Sequence, residues 1–296
     1  EGADGIVIQE DTSADGETVA MKVAAKPGKH IRAAGMDFRA GDLLAAAGRC
    51  LSARDLSLVA AGDVAAVSVR RKPRVAIAAT GDELSPPGMA RGPGGIVASS
   101  GYGLSAMISD WGGEAVDLGI LPDRIEAIER IAEHAEDFDL IVTLGGASVG
   151  DHDLIQKALG PKGFALDFWK IAMRPGKPLI FGKLGDTPLL GLPGNPVSTL
   201  VCAILFLQPA IRALLGTSTE IARTAARLTG SLGANDARQD YVRAKLSTRD
   251  GESWVEAFTV QDSSMLSALA NADALIVRVP HAPAAAEGER VAVIPL

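Results

Sequence analysis

The sequence predicts an α/β protein: a mostly parallel sheet with helices on both faces, a small β-rich C-terminal region, and remnants of N-terminal domains ahead of the sheet. Three observations carry this. Strand-like and helix-like segments alternate from Arg74 to Gly216, the order that builds a parallel sheet. The run "RVAIAAT" at 74–80 is continuously apolar, as in a strand buried on both faces. After Gly216 short strand-like segments separated by turn residues replace that alternation.

In chain order, residues 1–26 hold two strand-like pieces, "GIVIQE" and "ETVAMKV", joined by the turn-rich "DTSADG". They read as part of a sheet whose other strands are absent. With no initiator Met, upstream sequence is expected to be missing. Residues 27–72 are rich in Ala and Gly. Within them "SARDLSLVAAG" predicts a helix with Ser52 as N-cap, Leu56 and Val59 at helical spacing, and Gly62 as the stop. Arg70, Arg71, Lys72 and Pro73 read as a linker.

After the first buried strand, "GYGLSAMISDWG" predicts a helix, "EAVDLGI" a strand and "DRIEAIERIAEHAE" an amphipathic helix. "DLIVTLGG" predicts a strand, "HDLIQKALG" a helix, and "PLIFGKL" and "TPLLGLPG" two strands. The segment "NPVSTLVCAILFLQPAIRALLG" predicts one long helix, with Asn195 as N-cap, Pro196 in the first turn and Gly216 past the end. In the last region "TAARLTGSL", "DYVRAKLS", "SWVEAFTV" and "RVAVIPL" are strand-like. Asp250-Gly251 supplies a hairpin turn, and "SSMLSALANA" one helix.

Composition narrows the function classes. The 296 residues are 47% hydrophobic and 22% charged, enough for a sizeable core. With 29 Lys and Arg against 36 Asp and Glu, the net charge of −7 argues against a broad nucleic-acid face. Three Trp and two Tyr argue against base-stacking platforms. A local cation cluster can still hold a small anion. Cys50 and Cys202 are isolated, which predicts neither a disulfide framework nor a zinc site, and a cytoplasmic location is expected. The apolar run "VSTLVCAILFL" reads as too short and too polar at its start to span a bilayer, so no membrane partner is expected. No signal peptide is read at the N-terminus.

Ligands of open α/β sheets bind at the carboxyl ends of strands. Two strand ends fit. One is "AATGDEL", with Thr80, Gly81 and Asp82. The other is "IVTLGGASVGDHD", with Gly145, Gly146 and Ser148, then Asp151 and Asp153 entering a helix. Such glycines let N–H groups converge on a phosphate next to a helix N-terminus, although a plain tight turn accounts for the loop equally well. Asp82 and Asp153 follow different strands of one sheet. Two carboxylates next to phosphates are a common way to hold Mg²⁺, and capping a helix is the alternative role for either acid. Lys170, Arg174 and Lys177 surround "RPGKP", where Pro175 and Pro178 restrain the loop. Restrained cations suit a multiply charged oxyanion; a solvated basic face is the alternative. In "GLPGNPVS" a helix start accounts for Asn195 and Pro196, while Pro193-Gly194 shape a further turn and Ser198 adds a hydroxyl. The four His residues show no metal spacing, and no nucleophile motif is present.

Taken together, "TGDEL", "GGASVGDHD", "FWKIAMRPGKP" and "GLPGNPVS", in this order and spacing, resemble the molybdopterin molybdenumtransferases, the family of the bacterial MoeA proteins and the gephyrin E domain. The resemblance covers nearly the whole chain. It implies an enzyme of molybdenum cofactor synthesis that takes adenylylated molybdopterin and molybdate with Mg²⁺, inserts molybdenum at the dithiolene and releases AMP, and that works as a homodimer. It divides the chain into a remnant of an N-terminal β domain (1–26), part of a central dimerisation domain (27–72), a molybdopterin-binding α/β domain (73–217) and a C-terminal β-barrel (218–296). By position it assigns Asp82 and Asp153 to Mg²⁺ and pyrophosphate, and Lys170 to the catalytic set. Thr80, Gly81, Gly145, Gly146 and Ser148 fall to phosphate binding. Arg174, Lys177, Pro193, Asn195 and Ser198 go to the ligand and molybdate pocket, joined by Arg243 and Ser263 from the C-terminal region.

Three departures stand against the family pattern. Gly35-Met36-Asp37 replaces Gly-Glu-Asp, and Met cannot act as an acid. Ala98-Ser99-Ser100 replaces Asp-Ser/Thr-Asn. The family's upstream "SAMDGYA"-type segment is not in the chain. They favour one rival reading, a non-catalytic molybdopterin-binding or scaffold module. A second rival, a competence-damage-type nucleotide pyrophosphatase, should lack "FWKIAMRPGKP" and the β-rich C-terminal region.

Overall fold

A computed structural model of the chain describes residues 2–146 and 152–296, with the backbone alone for His152 and Asp153. Two compact units divide it, one ending at Val67 and one running from Ser68 to Leu296.

The first unit holds strands β1 (Thr12–Asp15) and β2 (Thr18–Met21), an antiparallel hairpin closed at Asp15 and Thr18. Ahead of it, "GIVIQE" does not form the expected strand. Its backbone bonds singly to the 28–29 turn, through Ile6 N–H to Lys29 O and Gly28 N–H to Asp4 O, and the chain then tightens into a 3₁₀ turn at Gln9–Asp11. Helix α1 (Ala53–Ala61) begins where its capping residues predict. The Ser52 hydroxyl accepts from the Asp55 N–H, and the Asp55 carboxylate accepts from the Ser52 N–H at 2.8 Å. The hydroxyl and N–H of Ser52, then Arg49, hold the Asp55 carboxyl down at about 2. This folded pKa lies below the unfolded value of about 3.9, so the stabilisation is fully present above the unfolded value and fades as pH falls through about 2. We expect the stability gap between wild type and Asp55→Asn to be flat above pH 5 and to close towards pH 2. A gap that persists at pH 2 would overturn this.

The second unit is built on a six-stranded sheet. Its elements are β3 (Arg74–Thr80), β4 (Leu84–Ser85), β5 (Ile96–Val97), α2 (Ser100–Asp110), β6 (Glu114–Leu121), α3 (Ile125–Glu133), β7 (Leu140–Leu144) and α4 (His152–Leu159). They continue with β8 (Phe164–Trp169), β9 (Met173–Arg174), β10 (Ile180–Leu184), β11 (Thr187–Leu192), α5 (Pro196–Cys202) and α6 (Gln208–Leu215). The strand order is β6-β3-β7-β11-β10-β8, parallel from β6 to β11 and antiparallel beyond. Successive side chains of a strand face opposite ways, which sorts the core into two layers. Val75, Ile77 and Val142 pack with Leu104 of α2 and Val201 of α5. Ala76, Ala78 and Ile141 pack with Ile128 of α3 and Ile155 of α4. Helices therefore cover both faces, as the alternating pattern predicts. The edge strand β8 was not singled out in the sequence.

The helix from Pro196 runs unbroken through a five-residue π segment, Ala203–Leu207, to Leu215. At 20 residues and a mean hydropathy of 1.8 it is long and apolar enough to cross a membrane by length and composition, which corrects the reading of the shorter run. Half of that stretch is buried inside the protein.

The C-terminal region contains β12 (Thr224–Leu228), β13 (Gln239–Arg249), β14 (Glu252–Ala257), α7 (Leu266–Ala270), β15 (Ala274–Arg278) and β16 (Arg290–Pro295). The pairing β14-β12-β16-β15-β13 closes on itself through β13–β14. A five-stranded barrel results, filled by Leu228, Val255, Ile276 and Val293. Asp250 and Gly251, both at positive φ, form the predicted turn, and Arg249 pairs with Glu252 across it. Short β9 joins β13 in parallel outside the closed ring, which ties the barrel to the α/β layer.

Candidate functional site

A cavity of about 620 Å³ opens at the carboxyl ends of β3, β7 and β11. Thr80, Gly81, Glu83 and Leu84 come from the β3 end. Gly145 and Gly146 follow β7, and Pro193 to Pro196 with Ser198 follow β11. Ser264 reaches it from the barrel side. These segments are brief and Gly- or Pro-rich for a steric reason. Gly145 has φ +86°, and a Cβ there would stand 2.8 Å from the Thr80 carbonyl oxygen. Any larger residue would push the β7 end off β3.

Two helices start at this cavity. Ser99, Ser100 and Gly101 at the start of α2 line one wall, and Asn195, Pro196 and Ser198 at the start of α5 line another. Each N-terminus carries about half a positive charge, although at α5 Pro196 has no N–H and the Val197 N–H already donates to the Ser263 carbonyl. Together they favour an anion with several oxygens. Glu83 and Asp123 add carboxylates to the lining. Asp82, exposed at the rim, accepts from the Asp123 N–H at 3.2 Å.

Of the residues singled out in the sequence, Thr80, Gly81, Gly145, Gly146, Pro193, Asn195 and Ser198 therefore share one cavity. Ser148 and the side chain of Asp153 lie outside the described residues. Asp82, Lys170, Arg174, Lys177, Arg243 and Ser263 are not among the lining residues. Each has a physical reason. Arg174 faces Asp240 in the β9–β13 register and donates Nε to Asp240 Oδ1 at 2.7 Å. Its second guanidinium nitrogen also binds Asp240, and Asp236 stands 3.7 Å away. The Asp240 hydrogen bond raises the Arg174 pKa, so its charge is already compensated. Lys170 lays its ammonium 3.6 Å from the Trp169 ring centroid. Lys177 is exposed, and its carbonyl accepts from Ile171, while the adjacent Pro178 reaches the cavity.

Arg243 is almost fully buried at 1% exposure, and burial lowers its pKa. Its Nε donates to Gln261 Oε1 at 3.1 Å and its Nη1 to the Asp262 carbonyl at 2.8 Å. Ser263 accepts from Asn195 Nδ2 at 3.0 Å, which turns the Asn195 amide away from the usual helix cap. Sequence reasoning placed Glu83 at the first strand end without giving it a role, and missed Asp123 and Ser264 as lining residues. Asp123, just past the end of β6, carried a readable signal as a strand-end acid. Ser264 carried none, because only the barrel's docking brings it here.

Among the described residues no group of three or more His, Cys, Asp or Glu side chains could hold a metal by itself. The oxygen donors at the rim do suit Mg²⁺, which takes one or two carboxylates and completes its shell with phosphate and water.

A doubly wound sheet, a strand-end cavity with two helix N-termini and a barrel that adds one wall define a class: an α/β protein whose cavity lies where open sheets of this kind take phosphorylated ligands. The family model described as a probable molybdopterin binding domain matches residues 76–213. The MoeA C-terminal region (domain IV) matches 225–296, and the MoeA N-terminal region (domain I and II) matches 1–62. A molybdopterin molybdenumtransferase of Nostoc sp. is 35% identical over 256 residues, covering 84% of this chain and 59% of that protein. Molybdopterin molybdenumtransferase 2 of Mycobacterium tuberculosis is 34% identical over 282 residues, covering 93% of this chain and 69% of that protein. The crystal structure of a molybdopterin biosynthesis MoeA protein from Pyrococcus horikoshii superposes with a TM-score of 0.80 at 29% identity, over 99% of this chain and 72% of that one. The chain belongs to the molybdopterin molybdenumtransferase family.

Proposed function

We propose that this chain acts in molybdenum cofactor synthesis, taking adenylylated molybdopterin and molybdate, inserting molybdenum and releasing AMP. The observation that carries the reading is the cavity, where Gly145-Gly146, Thr80-Gly81 and the Pro193–Ser198 turn meet two helix N-termini. Cleaving the adenylyl–phosphate bond builds charge on phosphate oxygens, and fixed N–H donors stabilise such charge without reorganising. Ser198 supplies a neutral donor for molybdate, and no protein nucleophile is needed. Lys170, Lys177, Ser148 and Asp153 complete the proposed set by position in the family. Asp82 and Asp153 would hold Mg²⁺ together with substrate phosphate oxygens; when bound, the metal neutralises charge on those oxygens.

On this reading residues 1–26 belong to the β domain and 27–72 to the dimerisation domain, 73–217 bind molybdopterin, and 218–296 form the barrel that closes the site. A cytoplasmic homodimer is part of the same proposal. Met36 and Ala98 favour the rival reading, a binding or scaffold module without turnover. "FWKIAMRPGKP" and the barrel are both present, against a nucleotide pyrophosphatase.

The test mixes the protein with adenylylated molybdopterin, Mg²⁺ and molybdate and follows AMP. We expect molybdate-dependent AMP release that Asp82→Asn reduces by about a hundredfold. Tight pterin binding with no AMP would instead establish the module. Absence of binding would sink both.

A further inference from the structure

The buried Arg243 does not line the cavity, but the segment it holds ends at Ser264, which does. Two of its nitrogens and its backbone N–H fix Gln261 Oε1 and the Asp262 carbonyl. Gln261 returns its amide to the Arg243 carbonyl at 3.0 Å and to the Phe258 carbonyl at 2.9 Å. Asp262 Oδ1 accepts from the N–H and the hydroxyl of Ser264, the residue that lines the cavity. The segment between these anchors meets the start of α5. The Ser263 carbonyl accepts the Val197 N–H at 3.2 Å, and the Ser263 hydroxyl accepts from Asn195. The N-cap Asn195 side chain makes no capping bond of its own. The helix is thus capped in trans, by the barrel.

We propose that Arg243 is a positioning residue: it holds the 261–264 segment so that Ser263 caps the Pro196 helix in trans and sets the Pro193–Ser198 wall of the cavity. Its effect on the proposed reaction rests on the functional reading above; its effect on the cap does not. Arg243 does not touch the oxyanion. It acts through Gln261, Asp262 and Ser263, and a planar guanidinium is required because two acceptors are held at once.

The test measures amide hydrogen exchange at Val197 in the free protein, with the core amide of Ile141 as reference, for wild type, Arg243→Lys and the milder Gln261→Ala. We expect exchange at Val197 to accelerate by about tenfold in both variants, the factor that one lost hydrogen bond of ordinary strength corresponds to, with Ile141 unchanged. AMP release should fall in kcat more than in KM for molybdate. Adding Asn195→Ala to Gln261→Ala should give little further loss, because both break one linkage. Unchanged exchange at Val197 with a raised molybdate KM would overturn the proposal and put Arg243 on the oxyanion. Equal acceleration at Ile141 would overturn it too, as general loosening. If wild type releases no AMP, the functional reading fails, while the exchange result still decides the role of Arg243.

Discussion

Replacing Gly176 with alanine lowers the stability of the protein by about 2–5 kcal/mol, and the loss is partly recovered when Cys202 becomes alanine as well. Two costs combine. Gly176 has φ +104°, a region that costs an L-residue about 1–2 kcal/mol. A Cβ there would stand 2.3 Å from Cys202 Sγ, which adds an overpacking cost of about 1–3 kcal/mol. Cys202 is fully buried, and burial pushes its thiol up to about 12, so at neutral pH it is an uncharged packing group. Its sulfur sits 3.8 Å from the Gly176 carbonyl oxygen. Urea unfolding of both singles and the double mutant is the measurement. The clash relieved in the double mutant should appear as a favourable coupling of about 1 kcal/mol or more. Strict additivity would show that the loop moves away from the helix at no cost, and that the "RPGKP" segment is not packed as described.

The second large effect concerns the cavity floor. Gly145→Ala puts a methyl group 2.8 Å from the Thr80 carbonyl and 3.1 Å from its hydroxyl, at a φ of +86°. The β7 end must shift, which strains the Gly145 N–H bond to the Leu192 carbonyl and moves the Gly145-Gly146 wall of the cavity with it. A displacement of an ångström at such a site lowers turnover by about a hundredfold, so molybdate-dependent AMP release should fall by that factor. Gly185→Ala is the control. Gly185 also has positive φ, +60°, in the β10–β11 turn, but nothing lies within 4 Å of its added methyl. Both variants carry backbone strain; only one reaches the cavity. Equal losses of activity in the two would mean that stability alone is responsible, and the role of Gly145 in the site would fall.

The legible parts of this protein were the local ones. The buried strand β3 could be read from its apolar run and α1 from Ser52, Leu56, Val59 and Gly62. The β13–β14 hairpin showed in Asp250-Gly251, and the strand-end turns in Gly145-Gly146 and Pro193-Gly194. In each case a few adjacent residues carry the conformational preference. "GIVIQE" has the right residue types for a strand but only single bonds to a turn, so propensity without a ladder did not suffice. The basic stretch was legible as a cluster but not as to its contacts. Arg174 finds Asp240, 66 positions away, because β9 and β13 lie side by side.

Most strands and helices of the α/β layer, the turns at their ends and the family motifs could be read from the amino-acid sequence alone, since they depend on steric limits and apolar periodicity over a few residues. Which charges are compensated, which serine faces the cavity and what caps the Pro196 helix were decided only when the barrel closed against the α/β layer. Arg243 shows the reason. Its chemistry announces a cation for an anion, but burial among carbonyl acceptors from a distant loop turns it into a brace, and no spacing along the chain records that.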